Sequence, residues 1–274
     1  MTTDPGGPRT PRRDTVPGTQ AVRRAITILK SFTEHHPTWD AAALSADLGL
    51  TKATTVRLLH VLEAEGLLYR GERGVFHLGP DLIVMGGLAS RSMGWRDSAR
   101  KVLHALSEKT GESVTLEVPW RSHDGQDAAM VVVDEVSGRH LLGVQQYYGR
   151  RLPIHATSTG KVILAFGATD RRGRALNGLV RYTEATITDA DRLEHELAIV
   201  RERGFATAVD ELEVGLVAVA APIFDGAGNC DAAISIVCPS VRFAPERMHE
   251  VSSIVLDAAA SIARQRGHVP ADQN

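Results

Sequence analysis

Residues 155–162 read HATSTGKV, a Gly-Lys pair preceded by hydroxyls, and three chemistries compete for such a stretch. A nucleotide-binding P-loop needs glycine where this chain has His155 and Ser or Thr where it has Val162, so phosphoryl transfer is set aside. Ser158-Thr159-Gly160-Lys161 also satisfies S-x-x-K, the nucleophile motif of penicillin-recognising enzymes, but the S-D-N triad of that machinery occurs nowhere in the chain. What remains is a turn whose hydroxyls and free N–H groups stand at a helix start, ready to accept a carboxylate or carbonyl of a small molecule. The plain alternative is a capped helix that binds nothing.

Other chemistry-bearing residues read as structural. Asp210, Glu211 and Glu213 are adjacent acids with the look of an acid/base pair, but a solvated or structural turn before a strand is the simpler reading. The histidines, among them His35, His36, His104, His123, His140, His195, His249 and His268, show no metal-ligand spacing and no cysteine cluster accompanies them, so neither metal nor cofactor is expected. Cys230 and Cys238 fall in one predicted strand, which separates them by roughly 25 Å, far beyond disulfide reach. Both are expected to be reduced.

The elements that position these residues are legible in the apolar spacing. Val22, Ile26 and Leu29 recur at helical intervals from Gln20, and the helix they predict stops before His36-Pro37. Asp40 caps a second short helix carrying Leu44 and Leu48, and Gly49 suits the turn that follows. Thr51 caps a third helix, TKATTVRLLHVLEAEG, ending at Gly66. A turn of about three residues between the second and third is helix-turn-helix spacing. Leu67–Arg70 and Val75–Leu78, joined by a polar Gly71–Gly74 turn, add a hairpin, so the unit is a winged helix.

Helical spacing resumes over Asp81–Met93 as a linker helix, on which Leu82, Met85, Leu88 and Ala89 form a face to bury on a second copy. A further helix runs from Trp95 to Lys109 and closes at Thr110-Gly111. Strand-like runs then occupy 113–118, 129–136 and 140–146. A helix begins at Ser158, a polar one spans Asp189–Gly204, strands follow at 216–224 and 230–238, and a last helix covers Pro245–Gln265. Strands interleaved with helices predict an α+β domain with a mixed or antiparallel sheet. The expected divisions are a disordered arm over 1–18, the winged helix-turn-helix over 19–80, the linker over 81–95, an effector-binding domain over 96–267 and a tail over 268–274.

On a helical wheel Leu58, Leu59 and Leu62 share the inner face of the third helix, with Thr55 beside them. Ala53, Val56, Arg57, His60 and Ala64 point outward, where a major groove would meet them. That face is small near its start and carries one long cation, which suits close approach to base edges, with Lys52 and Thr54 placed for phosphates. Arg70 and Arg73 in the wing are candidates for further phosphate contacts. A merely solvated amphipathic helix is the competing reading.

Taken in order, AVRRAITILKSF, LGLTKATTVRLLHVLEAEGLL, FHLG, LPIHATSTGKVILA, TEATITD, RERGFATAVDELEVGLVAVAAPIFD and AAISIV resemble the IclR-type transcriptional regulators from about Thr19 to Arg264. The resemblance implies a GAF-like C-terminal domain that binds a small effector, and dimers or tetramers on a palindromic promoter site. Carried across, its effector pocket comprises Leu141, Val144, Ser158, Thr159, Gly160, Ala208, Ala218, Ser235 and Val237. Strand alternation agrees for Ser235 and Val237, which face opposite to Ile234 and Ile236. Members that sense small keto acids tend to place Asp, Cys and a second Ser where this chain has Ala208, Ala218 and Val237, so the implied effector is mostly apolar, an aromatic or branched acid. In the reader helix the family's usual Pro is Thr51 and its usual Ser is Ala53.

Composition agrees with such a protein. Apolar residues make up 43% and charged residues 23% of 274, enough for two ordinary domains, and no apolar run reaches the ~20 residues of a membrane span. Cytoplasmic location is expected, since the Pro-, Gly- and Arg-rich start lacks the apolar core of a signal peptide. Residues 1–80 carry ten Lys/Arg against eight Asp/Glu, a mild bias toward a nucleic-acid partner. The sequence reading is therefore a regulator of double-stranded promoter DNA, homo-oligomeric and effector-responsive. The alternative is a small-molecule-metabolising enzyme with a vestigial winged helix, and a DNA-bound scaffold with no effector is a third.

Overall fold

The computed structural model describes residues 18–33, 36–121, 128–140, 143–144, 149–168, 173, 175–176, 178–243 and 245–269. The chain divides into two compact units, Met1–Ser92 and Met93–Asn274. In the first, α1 (Gln20–Lys30), α2 (Ala41–Asp47) and α3 (Lys52–Ala64) precede a hairpin of β1 (Leu68–Arg70) and β2 (Phe76–Leu78), and α4 (Asp81–Ser92) follows. Local chemistry sets the ends of the two central helices. Asp40 Oδ1 accepts the N–H groups of Ala42 and Ala43, both at 2.8 Å, and Thr51 Oγ1 accepts that of Thr54 at 3.3 Å. Gly49, at φ 61°, makes the left-handed turn between them.

Ile28, Leu44, Leu58, Leu59, Leu62, Leu68 and Phe76 form the core of this unit, each buried side chain contributing about 1.5–3 kcal/mol. The sequence reading of α1 needs correction here. Val22 and Ile26 are 60% and 45% exposed, while Ile28 is fully buried, so the periodic pair faces outward and a different residue packs. Trp39 exchanges backbone hydrogen bonds with Phe76 at 3.1 and 2.7 Å and extends the wing by one bridge.

The second unit contains α5 (Arg96–Thr110), β3 (Ser113–Arg121), β4 (Ala128–Val136), β5 (Arg151–Pro153), α6 (Ser158–Phe166), α7 (Ala190–Arg203), β6 (Ala206–Val209), β7 (Leu216–Phe224), β8 (Cys230–Pro239) and α8 (Pro245–Gln265). Its sheet is antiparallel throughout, in the order β5-β4-β3-β8-β7-β6. The α+β expectation holds, with helices on both faces. Leu103, Val114, Ile234, Ile236 and Val255 belong to the core between the sheet and α5 and α8. Met130, Val132, Ile163, Leu193 and Leu197 belong to the one between the sheet and α6 and α7.

Gly111 and Gly204, at φ 75° and 81°, end α5 and α7 in left-handed caps. The strands β5 and β6, three and four residues long, have no counterpart in the sequence reading, because so few residues cannot display an alternation. The run expected over 140–146 lies mostly outside the described residues, and Gly143 and Val144 are not in a strand. Cys230 and Cys238 are both buried in β8, and neither forms a disulfide among the described residues, as expected.

Candidate functional site

The outer face of α3 is open. Lys52, Ala53, Val56, Arg57 and His60 line a shallow groove of about 680 Å³ along it, and Thr55, Leu58, Leu59 and Leu62 fill the inner face. Arg57 is exposed and makes no hydrogen bond or ion pair among the described residues. Thr54 is committed to the helix start, its hydroxyl accepting from Thr51 Oγ1 at 2.9 Å. The two wing arginines differ. Arg70 lies 2.9 Å from His60 Nε2, 3.7 Å from Glu63 and 4.8 Å from the centre of the Phe76 ring, so it braces the wing to α3. Arg73 sits at the exposed turn in a left-handed conformation, φ 59°, with no side-chain partner among the described residues.

In the second unit, the start of α6 closes over the sheet. Thr157 caps the helix, its hydroxyl accepting from Gly160 N–H at 3.2 Å. Below lies a small cavity of about 20 Å³ lined by Ser158, Thr159, Ala208, Ala218, Ser235 and Val237, together with Glu117, Leu152, Ala156, Thr157, Leu212 and Leu216. The register explains the grouping. Ala208 pairs with Ala218, Ala218 with Val237 and Val237 with Ser113, one cross-strand row on the face toward α6. The next row brings Ser235 opposite Thr115.

Six residues of the nine expected in the pocket thus meet around one cavity. Gly160 does not line it. A Cβ there would lie 1.9 Å from Ile154 O, so this glycine permits α6 to press on the chain before it rather than touching a ligand. Val144 is also off the lining, although its carbonyl accepts from Ser113 Oγ at 2.6 Å at the end of the same row. Leu141 lies outside the described residues.

Of the six lining residues that the sequence reading missed, Glu117 is the one with an ionisable side chain. It is 2% exposed and accepts from Thr115 Oγ1 at 2.8 Å and Thr159 Oγ1 at 2.5 Å, and Thr115 Oγ1 is 2.9 Å from Ser235 Oγ. Burial pushes its carboxyl above the usual carboxylate range, against the two hydroxyl hydrogen bonds that pull it down. Alternation was the available signal. Ser113, Thr115 and Glu117 form a polar stripe that suits a solvated sheet face, and only the helices on that side turn it inward.

Lys161, 1% exposed, points away from the cavity. Its Nζ donates to Glu211 Oε1 at 2.6 Å and Thr207 O at 3.1 Å, with Glu196 at 3.8 Å. It joins α6 to β6 and to the turn that follows, in which Asp210 takes φ 56° and accepts Gly215 N–H at 2.7 Å. Desolvation raises the Glu211 carboxyl although Lys161 opposes the rise. Asp210 and Glu211 are therefore tied into the structure of the turn, while Glu213 is exposed. An S-x-x-K enzyme would also carry a K-T-G string on a strand, but Lys109-Thr110-Gly111 here closes α5.

Two family models match the chain, the bacterial transcriptional regulator IclR C-terminal domain over residues 88–264 and the IclR helix-turn-helix domain over 21–72. The chain belongs to the IclR family. It is a DNA-binding transcriptional regulator. Among IclR-family proteins it is 30% identical to the transcriptional repressor IclR of Escherichia coli (strain K12) over 265 residues, 94% of this chain and 95% of that protein. An IclR transcriptional regulator from Alicyclobacillus acidocaldarius shares its fold with a TM-score of 0.80 at 25% identity, over 92% of this chain and all of the other (100%). An IclR homologue from Microbacterium hydrocarbonoxydans, solved in complex with 4-hydroxybenzoate, has a TM-score of 0.76 at 24% identity, over 89% and 98%. These relatives do not favour the reading as an enzyme with a vestigial winged helix.

Proposed function

We propose that this regulator binds double-stranded promoter DNA as a homo-oligomer through the outer face of α3, and that a mostly apolar acid, aromatic or branched, controls that binding from the cavity under α6. Ala53, Val56, Arg57 and His60 meet the major groove, and Lys52, Thr54 and Arg73 lie at backbone phosphates. One observation carries the effector reading. Ser158 Oγ and the N–H groups of Ser158 and Thr159 have no hydrogen-bond partner among the described residues, yet Ser158 is 1% exposed and borders the cavity. Alanine, valine and leucine side chains make up most of the other walls. A helix start favours an anion, whereas a second polar end would leave groups unpaired against those walls at about 1–3 kcal/mol each.

At about 20 Å³ the cavity holds roughly one water, so an effector must move its walls apart. Leu152 and Leu212 line both this cavity and an open groove of about 720 Å³, which makes them the barrier to displace. The small volume also supports a second reading, a regulator without an effector. Calorimetric titration with small acids decides between them, and the 4-hydroxybenzoate complex of the Microbacterium neighbour puts that aromatic acid first in the panel. Binding of larger apolar acids, with two-carbon keto acids weak, is expected. Tight binding of a two-carbon keto acid alone would overturn the pocket chemistry, and no binding by any acid would favour the second reading.

A further inference from the structure

Glu117 places a buried carboxyl at the spot where the proposed function seats a carboxylate. Its Oε2 is 2.5 Å from Thr159 Oγ1, and both residues border the same cavity as Ser158. An acid reaching the start of α6 therefore arrives beside a second acid in a small site walled mostly by apolar side chains. Two carboxylates at such a distance cannot both stay ionised, because each raises the cost of charging the other.

We propose that the effector's acid end enters the pocket together with one proton, held between its carboxylate and the Glu117 carboxyl. The inference rests on the acid-effector reading above. The proton comes from solvent, the pair keeps one negative charge, and Ser158 and the α6 N–H groups neutralise that charge by donation.

Among the described residues, the surroundings of Glu117 offer no other charge for this role. From β3 it meets Thr115, and from α6 Thr159. On β8 and β4 its paired residues are Ala233 and Val132, and Ser235 joins through Thr115. On α6 itself Lys161 is turned to Glu211 and Glu196, which draws those three charges away from the cavity. His155, just before α6, is bonded to Val180 O at 2.9 Å, and burial holds its imidazole below the usual histidine range. Glu117 is already held above the ordinary carboxylate range when the pocket is empty, so a second acid displaces its titration further in the same direction.

The sign of the linkage follows. Affinity for an acid is flat at low pH and falls about tenfold per pH unit between the points where Glu117 titrates in the empty and occupied protein. Calorimetry of the full-length protein with 4-hydroxybenzoate, benzoate and 3-methylbutanoate over pH 5.5–8.5, in two buffers of different ionisation enthalpy, measures both quantities. About one proton taken up per acid bound within the falling range is expected from the wild type alone, so the test stands even if a variant misfolds. E117Q, which keeps a polar amide without a titrating group, should bind the acids with a flat pH profile. Acid binding with no proton uptake, or a slope that survives in E117Q, overturns the inference and leaves the effector reading in place. No binding by any of the three acids even at pH 5.5 removes both.

Discussion

At the residue scale, the three arginines near the DNA face divide by their partners. Arg57 is exposed and unpaired among the described residues, so Arg57→Ala is expected to cost about 1–3 kcal/mol on the specific site and less on random DNA. Arg73→Ala should weaken both alike and reduce the salt slope by about one. Arg70 is bound to His60 and stacked on Phe76, so its removal should also lower the melting temperature of the winged unit. Fluorescence anisotropy on specific and random duplexes across a salt series separates these behaviours, and equal losses for Arg57→Ala on both duplexes would move it to the phosphate class. Lys161 makes a different prediction. With Nζ 2.6 Å from Glu211 in a buried setting, Lys161→Met leaves the carboxyl uncompensated and should destabilise by about 3–5 kcal/mol. Replacing Glu211 by Leu as well should recover much of that loss in denaturant melts.

At the element scale, α6 carries the effector half of the molecule. Ser158 through Ala165 are all buried, because sheet and α7 cover the helix on both sides. Its entry angle depends on the contact between Gly160 and Ile154, where an added methyl meets a carbonyl oxygen at 1.9 Å. Backbone cannot yield as a side-chain tip can, so Gly160→Ala should cost at least the ~1–3 kcal/mol of an overpacked core and lower the melting temperature. Ser158→Val, which exchanges the hydroxyl for two methyl groups beside the cavity, should instead leave operator binding intact and abolish the effector's action on DNA release. Unchanged effector sensitivity in Ser158→Val would return this helix start to a simple cap.

For the whole molecule, the decisive quantity is how many copies meet on DNA. One winged helix reads too few base pairs for useful specificity, and α4 exposes Ile83, Met85 and Leu88 at 78%, 53% and 57% among the described residues. A chain ending after Gly79 should therefore lose most site-specific affinity, and a Met85→Glu, Leu88→Glu variant should sediment as a smaller species. Operator binding by the truncated chain as tight as that of the whole protein, at equal salt, would sink the idea. An acid that fits the cavity should also stabilise the folded protein, by about 2.7 kcal/mol at a hundredfold excess over its dissociation constant.

Much of this protein was determined within a few residues of sequence at a time. Asp40 and Thr51 cap the helices they precede, Gly111 and Gly204 end theirs, and the wing follows from two apolar runs around a polar turn, because hydrogen bonds to free helix ends and left-handed turns are local interactions. The same locality made the reader face of α3 and the facing of Ser235 and Val237 legible. Burial was decided elsewhere. Whether Ile28 or Ile26 packs, whether the polar stripe of β3 meets water or α6, and whether Gly160 touches a ligand or Ile154 all depend on which layers close over a segment from far along the chain. Glu117 shows the consequence most directly: alternation assigned its side of the strand, but only the helices folded across that side make it a buried acid in a binding cavity.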